Sequence, residues 1–285
     1  MGRVRRYRCR LRNSDMRRTF EEDYIKEEFQ RLGEALDEPV TVYLIGGGSM
    51  AFRDLKAATK DIDVVVNGAE TFKRLQSGLR SLDYEDVKNP DTVYEELGAS
   101  TILENGDGCR FDVFNQQVVD KLMFSDGMEE RSEHLLSEGE LAVQMTSRED
   151  VFLFKSVAGR PDDVEDMNVL VQSGLDFDAV ESELRRQTEL LGEELFVTEM
   201  SEALIDLEDR FGVTTPLDDV VAEISERVYQ ELEVLLAVEN SDSVEEVFKQ
   251  VELSEAKAEA VMNRLGEKGL VELDGRSVER LDGQP

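Results

Sequence analysis

The stretch IGGGSMAFRDLKAATKDIDVVV, residues 45–66, decides the fold of the first half of the chain. A β-rich run at residues 40–45 leads into its three glycines and Ser49, and a second β-rich run covers residues 62–66. Glycine permits a close approach of the backbone to a phosphate, and the free N–H groups of a helix start favour an anion. We therefore predict two buried strands, joined by a glycine turn and a short helix over residues 49–56.

The glycine turn alone does not identify a nucleotide site, because a strand-to-helix turn often needs glycine for geometry. The dinucleotide fingerprint G-x-G-x-x-G would need glycine where Ala51 stands. The P-loop would need Gly-Lys-Ser or Gly-Lys-Thr, which the stretch lacks. The sequence therefore argues against both of these phosphate-binding motifs.

Asp61 and Asp63 follow the turn as an Asp-Ile-Asp sequence at the start of the second strand. Alternate residues of a strand point to the same side, so the two carboxylates share one face and Ile62 and Val64 face the core. Two adjacent carboxylates repel each other unless a cation lies between them, and Mg²⁺ prefers such oxygen ligands. The alternative is an edge strand that carries two surface acids.

A third acid, Asp112, lies in the run CRFDVF at residues 109–114. This run and residues 100–103 flank the turn sequence ENGDG, which predicts a β-hairpin. Asp112 lies on the opposite face of its strand from Phe111 and Val113, so a neighbouring strand would bring it beside the Asp-Ile-Asp pair. Three converging carboxylates are suited to a two-metal site for in-line phosphoryl displacement.

A Gly-Ser turn followed after eleven residues by Asp-x-Asp resembles the nucleotidyltransferase superfamily with the polymerase β-type palm. The resemblance implies an α+β fold, in which a small mixed β-sheet has flanking helices. It implies that the turn holds the triphosphate of an NTP substrate, and that the acids are catalytic and bind Mg²⁺ or Mn²⁺. The residues concerned are Gly47, Gly48 and Ser49 in the turn and Asp61, Asp63 and Asp112 among the acids.

The run VFLFKSVAGRPDDVEDMNVL, residues 151–170, is similar to the segment that follows the catalytic domain in small prokaryotic members of this superfamily. Those members include toxin and antitoxin nucleotidyltransferases. The resemblance implies that Lys155 and Arg160 bind nucleotide phosphates, although both could instead form surface ion pairs. It suggests transfer of an NMP to a hydroxyl of a protein, an RNA or a small molecule, in a toxin–antitoxin or defence system.

Periodic apolar residues predict further elements along the chain. Helices are expected over residues 19–36, 69–82, 148–158, 162–173, 178–191, 196–211 and 217–237, and a strand over residues 141–145. We divide the chain into a basic tail, a nucleotidyltransferase domain, a helical segment and a winged-helix-like domain. Their bounds are residues 1–18, 19–146, 147–215 and 216–285.

The predicted tail holds eight arginines and one acid, and we expect it to be disordered. It is either a nucleic-acid-binding segment or an upstream extension, with Met16 as the true start.

The last predicted domain runs as helix, short helix, longer helix and hairpin, which is the order of a winged helix. Residues 254–267 would be its recognition helix, and residues 254–280 its contact surface for DNA or protein. The surface mixes acids with bases, so the sequence favours neither partner. An alternative function follows, namely a non-catalytic, nucleotide-sensing regulator that binds DNA.

The net charge of -32 arises from acids spread along the whole chain. Such a surface is typical of proteins that work at high salt, where self-repulsion is screened, so we predict a halophilic cytoplasmic protein. No apolar run of about 18 residues occurs, so no membrane span is expected. Two cysteines, Cys9 and Cys109, argue against a disulfide framework, and the single histidine, His134, is expected at the surface.

Overall fold

A computed structural model describes residues 17–87, 100–118, 121–275 and 277–281. The chain divides into two compact units, which meet in sequence at the Phe154–Lys155 bond. Most of the predicted basic tail, with Cys9, lies outside the described residues, as does Arg276 of the predicted contact surface. The domain bounds drawn from the sequence stay predictions.

The first unit is an α+β structure, which confirms the predicted fold class. Its helices are α1 Glu22–Ala35, α2 Gly46–Ala51, α3 Ala69–Ser81, α4 Asp126–Arg131 and the first part of α5 Arg148–Ala158. Its strands are β1 Val40–Leu44, β2 Asp61–Val66, β3 Glu85–Asp86, β4 Thr101–Glu104, β5 Arg110–Asn115, β6 Gln117–Val118, β7 Leu122–Met123, β8 Glu133–Glu138 and β9 Leu141–Met145.

Seven of these strands form one mixed sheet in the order β3-β4-β5-β2-β1-β9-β8. Strand β1 pairs antiparallel with β2 and parallel with β9, and β2 pairs parallel with β5. The predicted hairpin is present as the antiparallel pair β4–β5. The carboxyl ends of β1 and β9 therefore lie at the same edge as the amino ends of β2 and β5. This edge carries the glycine turn and the Asp-Ile-Asp sequence.

Helices α1 and α3 cover one face of the sheet. Phe29 and Leu32 of α1, with Leu75 of α3, are fully buried in the main core cluster, together with Ile62 and Phe111 of the sheet. A Cβ at Gly33 would lie 1.9 Å from the backbone oxygen of Glu138, so α1 touches the turn between β8 and β9 directly. Glycine is required at this position, because any side chain would push the helix away.

The structure differs from the sequence predictions at helix α2 and strand β8, and the short elements α4, β3, β6 and β7 were not predicted either. Helix α2 begins at Gly46 and ends at Ala51, whereas the prediction placed it over residues 49–56. The glycines form its first turns instead of a loop before it. Strand β8 was not predicted, because four of its six residues are polar and exposed. It is held by backbone pairing with β9, and Leu135 and Leu136 pack against the main core cluster. His134 lies exposed on this strand, as expected.

The second unit begins at Lys155 and is helical, with a hairpin at its end. After the end of α5 it contains α6 Pro161–Gln172, α7 Phe177–Leu191, α8 Phe196–Phe211, α9 Asp218–Val238, α10 Val244–Gln250, α11 Glu255–Glu267, β10 Val271–Asp274 and β11 Ser277–Arg280. The helix, short helix, helix and hairpin order predicted for its last part is present. The resemblance to a winged helix stays a prediction.

The last five elements share a core of their own, built from residues such as Val234, Val247, Val261 and Leu265 with Val278 of the hairpin. Within the described residues, no helix has the length and apolar character needed to cross a membrane.

Candidate active site

The turn after β1 is shaped by glycines that a larger residue could not replace. Gly46 has φ +59°, and a Cβ there would lie 2.3 Å from Oδ2 of Asp63. A Cβ at Gly47 would lie 2.6 Å from Oγ1 of Thr59. The missing side chains thus let the carboxylate of Asp63 lie directly against the turn. Sequence reasoning named Gly47 and Gly48 but missed Gly46, although all three glycines of the run were visible.

The register of β2 and β5 brings two of the predicted acids side by side. In this parallel pair Asp63 lies opposite Asp112, and Asp61 lies opposite Arg110. The residues between them, such as Ile62, are buried in the core on the other face of the sheet. The three carboxylates therefore share one face at the edge that carries the glycine turn.

Asp112 is a charged group in a buried position. Its side chain is 1% exposed, and its Oδ1 atom has no hydrogen-bond partner within the described structure. Burial raises the pKa of Asp112 well above its ordinary value, and the charges of Asp61 and Asp63 raise it further. Arg17 and Arg110 lower this pKa in part. The carboxylate of Asp112 therefore takes up a proton more readily than an exposed aspartate does.

Asp61 is held by an arginine from the segment that precedes α1. Arg17 donates from Nη1 to Oδ1 at 2.5 Å and from Nη2 to Oδ2 at 2.9 Å. Such a two-point contact between a guanidinium and a carboxylate is among the stronger charge-assisted hydrogen bonds. Sequence reasoning missed this contact, because it assigned Arg17 to the basic tail and no local pattern links it to a strand 44 residues later.

Ser49 is fully buried and is held by a second arginine. Arg53 donates from Nη1 to Oγ of Ser49 at 2.5 Å and from Nη2 to the backbone oxygen of Thr146 at 2.7 Å. The Ser49 hydroxyl in turn donates to the same backbone oxygen at 3.4 Å. Arg53 therefore ties the glycine turn to the residue that follows β9. Burial lowers the pKa of Arg53, against the attraction of Glu133.

The donor set fits a divalent cation in its chemistry. Three carboxylates supply the oxygen ligands that Mg²⁺ and Mn²⁺ prefer, and the unpaired Oδ1 of Asp112 offers a buried lone pair. In the part of the chain that the structure describes, however, no three acidic, histidine or cysteine side chains form a ready ligand set. Asp61 is bound by Arg17, so a cation that used both Asp61 oxygens would have to replace that arginine.

Lys155 and Arg160, the two predicted phosphate ligands of the second unit, form ion pairs with acids of α6; Lys155 is buried and Arg160 is partly exposed. Lys155 Nζ is 2.7 Å from Oδ1 of Asp163 and 2.9 Å from Oδ2 of Asp166. Arg160 Nε donates to Oδ2 of Asp163 at 2.6 Å. Burial alone would lower the pKa of Lys155, but the two facing carboxylates raise it overall. A phosphate contact by Lys155 would have to break these pairs, and the predicted role stays a prediction.

Comparison with known proteins gives one family. The family described as "Nucleotidyltransferase of unknown function (DUF6036)" matches residues 23–209, which is well over half of the chain. The matched range includes the glycine turn, all three acids, Lys155 and Arg160. Among curated proteins, none matches the chain.

Proposed function

The chain belongs to this nucleotidyltransferase family, and we propose that it is an active, metal-dependent member that transfers an NMP from an NTP to a hydroxyl group. The acceptor class stays open among a protein, an RNA and a small molecule. The observation that carries the proposal is the β2–β5 register, which sets Asp63 beside Asp112 next to the glycine turn. The chain carries many acids, so acids at its surface would not by themselves indicate a site. Asp112 is buried, however, and a solvated acidic surface does not explain a buried acid.

In the proposed mechanism the glycine turn holds the triphosphate. The N–H groups of a first helical turn have no acceptor within their helix, so those of Gly47 and Gly48 are suited to phosphate oxygens. The N–H of Ser49 donates to the backbone oxygen of Ile45 at 3.3 Å, so Ser49 would take part in phosphate binding only by giving up that bond. Arg53 keeps this turn in place through Ser49 and Thr146.

Asp61, Asp63 and Asp112 would hold the divalent cation, Mg²⁺ or Mn²⁺. Such a cation neutralises phosphate charge and stabilises the in-line displacement when it is bound. Binding of such a cation would explain why the chain keeps three mutually repelling carboxylates at this edge of the sheet.

Asp112 positions the acceptor hydroxyl and takes its proton. The acceptor oxygen forms a bond to the α-phosphorus, and the bond from the α-phosphorus to the oxygen that bridges to the β-phosphate breaks. Pyrophosphate leaves with that oxygen, and the hydroxyl proton passes to the carboxylate of Asp112. A carboxylate beside the acceptor hydroxyl can serve as its general base.

A transfer assay tests the proposal. The full chain is incubated with each labelled NTP, with Mg²⁺ or Mn²⁺ and with cell extract, and labelled products are separated. We expect Asp63→Asn to abolish labelling. Asp86→Asn is the matched control, because it removes the same charge from an exposed position on β3, where Asp86 pairs with Arg80. Equal labelling by the wild type and by Asp63→Asn would refute the proposal.

The alternative function is a nucleotide-sensing regulator that binds DNA through residues 254–280. The helix and hairpin order of the last elements favours it. Against it, Glu231 of α9 pairs with both Arg264 and Lys268, so two basic residues of the predicted DNA surface already have an acidic partner. A gel-shift at high salt, which retards DNA only if this surface binds it, tests the alternative.

A further inference from the structure

Arg17 occupies the carboxylate that the proposed cation would use. Its two terminal nitrogens contact the two oxygens of Asp61, at 2.5 and 2.9 Å. The side chains of Arg17 and Asp61 are only 22% and 15% exposed. A cation ligand must offer its oxygen lone pairs, and here a guanidinium already donates hydrogen bonds to both oxygens.

The backbone fixes this contact. Phe20 and Thr59 pair as an antiparallel bridge. The backbone nitrogen of Phe20 lies 2.7 Å from the oxygen of Thr59, and the nitrogen of Thr59 lies 3.0 Å from the oxygen of Phe20. Phe20 is 2% exposed and belongs to the main core cluster. Since Arg17 precedes Phe20 and Asp61 follows Thr59, antiparallel pairing brings the two side chains together. The bridge between Phe20 and Thr59 therefore holds Arg17 beside Asp61.

The contact between Arg17 and Asp61 offsets part of the negative charge of the three acids. Asp61, Asp63 and Asp112 repel one another, and Asp112 is buried with an unpaired oxygen. A positive charge at Asp61 relieves this repulsion when no metal is bound. The guanidinium and a divalent cation that used both Asp61 oxygens could not bind them at the same time.

We propose that Arg17 is an internal counter-ion that competes with the divalent cation for Asp61, so that metal binding releases Arg17 from the site. This inference rests on the proposed function, because it takes the three acids as cation ligands. The coupling is reciprocal: whatever holds Arg17 at Asp61 weakens metal binding, and metal weakens the hold on Arg17 by the same factor. The segment before α1 thereby sets the cation concentration at which the site becomes loaded.

Binding of Mn²⁺ to the full chain, followed by the EPR signal of the free ion at high KCl, tests the proposal without any catalytic readout. We expect Arg17→Ala and Arg17→Gln to bind Mn²⁺ about tenfold more tightly than the wild type, within the usual range of such couplings. The glutamine variant keeps the length of the side chain in case the alanine variant folds poorly. Arg18→Ala is the matched control, because it removes the same charge one residue later, where Arg18 pairs with Asp107 at 3.6 Å.

A double variant completes the design. In an Asp61→Asn background, Arg17→Ala should no longer change the Mn²⁺ affinity, because the shared ligand is gone. Equal affinities of the wild type, Arg17→Ala and Arg17→Gln would overturn the competition and leave the proposed function intact. An equal gain for Arg18→Ala would also overturn it, since general charge would explain the effect. Absence of Mn²⁺ binding in every variant would overturn both this inference and the metal part of the proposed function.

Discussion

Single residues of the site carry a cost in stability. Asp112 keeps a carboxylate at 1% exposure with one oxygen unpaired, and Gly46 holds a left-handed backbone against Asp63. A buried polar atom without a partner destabilises a protein by about 1–3 kcal/mol. Strain of this kind at a cluster of reactive groups is typical of functional sites.

Asp112→Asn is therefore expected to stabilise the protein and to end its activity. The amide removes a buried charge that faces Asp61 and Asp63, so the free energy of unfolding at neutral pH should rise by about 1–3 kcal/mol. Urea unfolding in the presence of a chelator measures the gain, and the transfer assay measures the loss. A destabilised Asp112→Asn protein would show that the carboxylate serves the fold.

Asp163 is expected to stabilise the second unit in a pH-dependent way. Burial would raise the pKa of Asp163, but Lys155 and Arg160 lower it overall. A lowered pKa contributes stability that is present above the unfolded value of about 3.9 and is lost as pH falls through the folded value. Asp163→Asn should cost about 3 kcal/mol at neutral pH, the lower end for a broken buried pair, because Asp166 keeps Lys155 paired.

Urea unfolding from neutral pH into the acid range below about pH 4 checks this prediction. The difference between the wild type and Asp163→Asn should shrink on acidification. A difference that stays constant with pH would mean that the carboxylate of Asp163 does not carry the stabilisation.

Among the elements, the start of helix α2 leaves no room for a side chain beside Asp63. A side chain at Gly46 would meet Oδ2 of Asp63 at 2.3 Å, and φ is +59° there. Gly46→Ala should lower the free energy of unfolding by at least about 1–2 kcal/mol, the cost of a left-handed backbone for an L-residue. It should also lower transfer activity, because the carboxylate of Asp63 must move.

Gly106→Ala is the matched control for this prediction. A Cβ at Gly106, in the turn between β4 and β5, would have no heavy atom within 4 Å. Its effect on unfolding should stay within about 0.5 kcal/mol. Similar effects of the two substitutions, measured by urea unfolding, would contradict the steric role of Gly46.

Sequence patterns predict those elements in which apolar residues mark the buried positions. Amphipathic helices such as α1 and α3, and apolar strands such as β2, show their periodicity directly. Strand β8 has two adjacent leucines among exposed polar residues and so lacks the alternation of a half-buried strand, which left its pairing with β9 unpredicted. Helix α2 begins three residues before its predicted start, which was missed because glycine is a poor helix former, yet Gly46 can adopt the positive φ with which this helix begins.

The candidate site was predictable in its acids and not in its basic partners. The period of a strand predicts that Asp61 and Asp63 share one face of β2, and the hairpin pattern predicts that Asp112 lies on one face of β5. The contact of Arg17 with Asp61 depends on the distant bridge between Phe20 and Thr59, for which no local pattern exists. The role of Arg53 at Ser49 likewise depends on Thr146, which lies far along the chain.

On the scale of the whole molecule, a net charge of -32 should make stability depend on salt. Repulsion among exposed acids is screened over about 10 Å at 0.1 M salt and over about 3 Å at 1 M. We therefore expect the free energy of unfolding to rise with KCl up to molar concentrations. Urea unfolding across a KCl series measures this, and full stability in dilute buffer would count against the halophilic prediction.

The position of β1 in the sheet has a consequence for biosynthesis. Its residues Val40–Leu44 lie between β2, which follows within about twenty residues, and β9, whose residues Leu141–Met145 are a hundred positions later. A chain emerging from the ribosome therefore presents one edge of β1 unpaired until β9 has been made. Fragments that end before residue 141 keep that edge open, so they should associate with one another through it.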